Sequence, residues 1–93
     1  MLLDLFFANP IAAIPLPTVA VYSSTYESAW NDEVIAKLTA TGDFQQIDNL
    51  SPLACSLDLT PTLATLAQYS AVLVYSDCKF NDSVALGNVL ADY

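Results

Sequence analysis

The stretch TVAVYSST, Thr18–Thr25, decides the fold. Its first five residues are a short apolar run rich in β-branched side chains, and three hydroxyl residues end it. A continuous apolar run of this length suits a strand buried on both faces, as parallel sheets require. A second run, AVLVY at Ala71–Tyr75, reads the same way and is the most apolar of the strands.

Helical signals separate these runs. In SAWNDEVIAKLTATG (Ser28–Gly42) a helix is predicted from about Ala29 to Thr41. Ser28 or Asn31 serves as its cap, Asp32 and Glu33 stand in the first turn, and Gly42 stands just past the end. Trp30, Val34 and Leu38, with Ile35 one step round, form its expected apolar face. Phe44–Asp48 reads as a short edge strand, and Asn49–Leu59 has no period. Thr60-Pro61 starts a second helix, with Leu63, Leu66 and Ala67 on its apolar face and Tyr69 at its end. Asn81 or Asp82 caps a last helix carrying Val84, Leu86, Val89 and Leu90.

The order is β-α-β-α-β-α. Strands alternating with helices imply a parallel sheet with right-handed crossovers. The predicted class is α/β: half of a three-layer flavodoxin-like or Rossmann-like domain, sheet order 2-1-3, with flanking helices. Residues 18–93 form this domain or domain fragment. A fourth strand is expected beside the third; without it, Ala71–Tyr75 is an open hydrophobic edge.

The segments VAVYSS (19–24), AWNDEVIAKLTATGDFQQID (29–48), LTPTLATLAQYSAVLVYSD (59–77) and FNDSVALGNVLADY (80–93) together give a second reading. This run resembles the N-terminal half of a bacterial class I glutamine amidotransferase-like domain, a flavodoxin-like fold often found in large secreted or surface proteins. The resemblance covers about Thr18 to Tyr93 and contains no catalytic signature. In catalytic relatives the nucleophilic cysteine follows a later strand, with a histidine and an acidic residue beyond it, so the role does not transfer to Cys78. The resemblance implies fold and ancestry, and not amidotransferase activity.

Composition narrows function further. Among 93 residues, 55% are hydrophobic and 13% charged, with a net charge of −8. Lys37 and Lys79 are the only basic residues, against ten acidic ones. Nucleic-acid binding and adhesion to anionic membranes both need clustered cations, so neither partner is expected. With no histidine, neither a Ser-His-Asp nor a Cys-His site can be assembled within these 93 residues. No cofactor is expected. The charged fraction is about half the usual ~25%, which predicts a homo-oligomer or a covering partner domain.

Residues 1–17, MLLDLFFANPIAAIPLP, form an apolar, proline-rich arm. It reads as an irregular arm packed on the domain or on a neighbour, or as a degenerate export signal. No Lys or Arg precedes its leucines and Asp4 interrupts them; the run is shorter than the ~20 apolar residues of a membrane span. Cys55 and Cys78 read either as small buried residues or as a disulfide between two loops, which would require an oxidising compartment.

In an open parallel sheet, ligands bind at the carboxyl ends of the strands, where the strand order reverses. That places Ser23, Ser24 and Tyr26 opposite Asp77 as candidate ligand-binding residues, with Thr25, Ser76 and Cys78 beside them. Without glycine in the first loop, and with Glu27 repelling anions, phosphate or flavin is disfavoured. Asp77 and Asp82 lack calcium-loop spacing, and no metal is expected. Tyr22, Tyr26, Trp30, Tyr75 and Phe80 gather at the same end; Trp30 and Phe80 are expected in the core. The expectation is a non-catalytic structural or interaction domain of a secreted or surface-associated bacterial protein, self-associating through its arm and open sheet edge. The alternatives are a part of an amidotransferase-like or hydrolase-like enzyme whose catalytic residues lie elsewhere, a small-ligand module at the switch point, and a cytoplasmic location.

Overall fold

A computed structural model describes residues 15–52 and 54–93. Most of the N-terminal arm, with its signal-like run, lies outside them. The elements are β1 (Thr18–Ser24), α1 (Ser28–Thr41), β2 (Gln46–Asn49), α2 (Leu63–Leu66), β3 (Ala71–Ser76) and α3 (Ser83–Asp92). They form a three-stranded parallel sheet in the order β2-β1-β3. The α/β class and the 2-1-3 order therefore stand as the two apolar runs predicted.

Boundaries moved for local reasons. The α1 helix starts at Ser28, behind Glu27, whose side chain makes no capping bond. Gly42 closes it in the left-handed conformation, φ 72°, and its N–H donates to the Thr39 carbonyl at 3.2 Å. The second helix is a single turn capped by Thr62, whose hydroxyl accepts from the Thr65 amide at 3.1 Å. Asp82 caps α3 by accepting from the Ala85 amide at 2.9 Å.

The register sorts side chains onto two faces, because aligned residues of neighbouring strands point the same way. Val19 aligns with Ile47 and Ala71, Val21 with Asn49 and Leu73, and Ser23 with Tyr75. Ser23 and Tyr75 both bond to Asn31, so this is the α1 face. Ala20, Tyr22 and Ser24 point to the other face with Asp48, Val72 and Val74. There Tyr69, just after α2, donates to Asp48 at 2.6 Å.

The apolar core of the described residues is small: Val19, Ala20, Val21, Tyr22, Leu66 and Leu86. An equal number of polar side chains is buried: Ser23, Ser24, Thr25, Asn31, Ser51 and Asp58. They cluster at the carboxyl end of β1. Phe80 is half-buried and stacks on Tyr22, ring centroids 5.8 Å apart. Trp30, by contrast, is 46% exposed, and the buried residue of α1 is Asn31. Val34, Ile35 and Leu38 lie on the inward stripe as expected, and Asn31 takes the place expected of Trp30.

Candidate functional site

The buried polar cluster fills the place where doubly wound folds bind ligands. β1 and the residue that follows it deliver Ser23, Ser24 and Thr25 to it, all buried. The first turn of α1 adds Asn31, and the loop after β2 adds Ser51, Ser56 and Asp58.

Asn31 is the hub on the α1 face. Its Oδ1 accepts from Ser23 Oγ at 2.9 Å and from the Tyr75 hydroxyl, and its Nδ2 donates to Asn49 Oδ1 at 2.7 Å. Asn49 Oδ1 also accepts from the Ser51 amide at 2.8 Å, and Ser51 Oγ accepts from the Ser23 amide at 3.0 Å. Burial pushes the Tyr75 phenol above its ordinary value; a hydrogen bond with Ser23 opposes this and the charge of Asp77 adds to it.

On the opposite face Tyr22 donates to Asp58 Oδ2, and Asp58 Oδ1 accepts from the Asn81 amide at 2.8 Å. Burial, then the hydrogen bond to Asp58, then its charge raise the Tyr22 phenol far above its ordinary value, against a smaller opposing influence of the Thr60 side chain. Ser24 Oγ donates to the Lys79 carbonyl and accepts from the Ser56 amide, both at 2.9 Å. A disulfide joins Cys55 to Cys78 beside these bonds, Cα atoms 5.6 Å apart.

Of the candidate ligand residues, Ser23 and Ser24 thus spend their hydroxyls on internal partners. Asp77 Oδ1 accepts from the Tyr26 amide at 2.9 Å, which pins the start of α1 to the loop after β3, while the Tyr26 ring is 69% exposed. Beside the cluster lies a pocket of about 60 Å³, lined by Leu50, Ser51, Pro52, Leu57, Asp58 and Leu59. Small-molecule sites run to roughly 300–1,000 Å³, so this one admits at most a side chain or a few waters. Every buried side-chain polar atom among the described residues has a partner. The hydrogen bonds of the site fix loops to strand ends.

Asn31, Asn49, Ser51, Ser56 and Asp58 escaped the reading by sequence. One signal was present: Asn31 occupies the i position of the i, i+3, i+4, i+7 stripe it shares with Val34, Ile35 and Leu38. Asp58 lies in the aperiodic meander and carries no such signal. Among the described residues no group of three or more His, Cys, Asp or Glu could hold a metal ion, and no helix is long and apolar enough to cross a membrane. No family model, curated protein or solved structure matches the chain.

Proposed function

We propose that this chain is a non-catalytic interaction domain that pairs with a second copy through the outer edge of β3, in an extracellular or cell-surface setting. The observation that carries this reading is the state of β3. Its register with β1 and the bond from the Asp77 amide to the Ser24 carbonyl (3.1 Å) turn the backbone groups of Ala71, Leu73 and Tyr75 toward β1. Those of Val72, Val74 and Ser76 face outward, and no described strand takes them. On the α1 face Leu73 stays 36% exposed, because α1 packs over β2 instead. An open apolar edge is a template for another strand. The disulfide supports an oxidising compartment.

Charge chooses the direction of pairing. Side by side in a parallel pair, two copies of Asp77 would stand ~5 Å apart. In an antiparallel pair centred on Val74 they stand ~20 Å apart at ~3.3 Å per residue, beyond the ~8–10 Å screening length. The test is light scattering over a concentration series for the wild type and V74P. Proline at an outward N–H is tolerated on an edge strand and removes the central donor of the new pair. Dimer that grows with concentration in the wild type and is lost in a folded V74P supports the reading. A wild type that stays monomeric, or a V74P that dimerises equally well, overturns it.

A further inference from the structure

We infer that the Cys55–Cys78 disulfide is a redox latch: its reduction releases the Ala54–Thr60 segment and uncovers the hydroxyls of Tyr22 and Ser24 at the carboxyl end of β1. The inference is independent of pairing at β3, which uses a different part of the sheet.

The segment has no helix or strand of its own. Apolar burial does not anchor it either, since Leu57 and Leu59 are largely exposed. What holds it is polar and lies beside the bridge. Ser56 donates its amide to Ser24 Oγ and its hydroxyl to the Lys79 carbonyl, at 2.9 and 2.8 Å. Asp58 accepts from Tyr22 and from the Asn81 amide. Ser56 follows Cys55 and Lys79 follows Cys78, so the bridge sets the approach that these bonds need.

Two features favour opening once the bridge is cut. Ser56 sits in the left-handed region, φ 58°, which disfavours a residue with a side chain. The Asp58 carboxyl is buried, and its hydrogen-bond partners are a phenol and an amide, with no cation among them; release would return it to water. Both cysteines are half-buried, within reach of a small dithiol. The exchange balances: one thiolate of the dithiol attacks a bridge sulfur, the second resolves the mixed disulfide, and two electrons and two protons pass to Cys55 and Cys78 as the dithiol closes to its own disulfide.

Amide hydrogen exchange on the full chain, oxidised and then reduced with dithiothreitol, tests this. The amides of Ser56 and Asn81 should exchange at least about tenfold faster after reduction, while those of Val21 and Leu73 change less than about twofold. The Cys55→Ser/Cys78→Ser double variant should match the reduced wild type in either buffer. Unchanged exchange at Ser56 and Asn81 overturns the latch. So does acceleration that includes Val21 and Leu73, because the bridge would then hold the whole fold.

Discussion

Replacing Asn31 with alanine tests the reading of the polar cluster as the part that joins α1 to the sheet. Asn31 is fully buried and serves three partners: Ser23, Tyr75 and Asn49. In Asn31→Ala the Ser23 and Tyr75 hydroxyls lose their acceptor. Both point at the same Asn31 oxygen, so in the variant one can turn to the other, and at least one donor is left orphaned. Asn49 keeps the Ser51 amide. An orphaned buried group costs ~1–3 kcal/mol, and the lost amide contact with Asn49 adds ~0.5–1.5 kcal/mol. The expected loss is about 2–4 kcal/mol, against roughly 5–14 kcal/mol for a chain of this size. Urea unfolding followed by circular dichroism should show it, with a fall in Tm of roughly 10–30 °C. Tyr75→Phe removes one donor and leaves Asn31 its other two partners; it should cost about 1 kcal/mol. The cycle between the two positions should give a coupling of at least ~0.5 kcal/mol. An Asn31→Ala cost below ~0.5 kcal/mol, or strict additivity with Tyr75→Phe, would refute the hub.

The two glycines should respond with opposite signs to alanine. Neither would meet a neighbouring atom, but Gly42 has φ 72° and Gly87 lies within α3 in an ordinary conformation. Gly42→Ala should destabilise by about 1 kcal/mol and Gly87→Ala should stabilise by ~0.5–1 kcal/mol, both read from urea midpoints. Alkali should unfold the protein: Tyr22, Tyr69 and Tyr75 all have phenols raised above 10.0, by burial at Tyr22 and Tyr75 and by the bond to Asp48 at Tyr69. Because the folded state holds these protons more tightly, its stability is complete below pH 10 and falls as pH rises beyond it, by up to ~1.4 kcal/mol per unit for each phenol. The part of the phenolate absorbance that these three tyrosines contribute should then appear together with the loss of circular dichroism. The absorbance of all five tyrosines rising while the circular dichroism stays folded would contradict the burial.

Sheet order was legible because two apolar runs, Thr18–Tyr22 and Ala71–Tyr75, read as parallel strands and the helical signals between them force crossovers, although only the first run is buried and β3 stays partly open. Helix α1 was legible in extent and in Val34, Ile35 and Leu38 of its inward stripe, and misjudged at Trp30. A large aromatic at Trp30 draws the apolar face toward itself, whereas Asn31 faces inward because Ser23, Tyr75 and Asn49 converge on it. The site was legible as a place, through the hydroxyls at the end of β1. Its partners were not, because Ser51, Ser56 and Asp58 arrive from a loop with no periodicity. Their positions depend on long-range closure between loops that local patterns do not encode.

That closure sets the scale on which the disulfide acts. A bridge spanning 23 residues contributes ~3.5 kcal/mol in the chain-entropy view. This is less than the roughly 5–14 kcal/mol expected of the whole domain, so the sheet should survive its loss. The segment it restrains is another matter. Four hydrogen bonds tie Ala54–Thr60 to the rest of the molecule, each worth ~0.5–1.5 kcal/mol net. Ordering seven backbone residues costs ~1–2 kcal/mol apiece. The bonds alone fall short of that cost, and the left-handed Ser56 and buried Asp58 widen the gap. The same covalent bond is therefore small for the fold and decisive for the loop. That asymmetry distinguishes a latch from a staple.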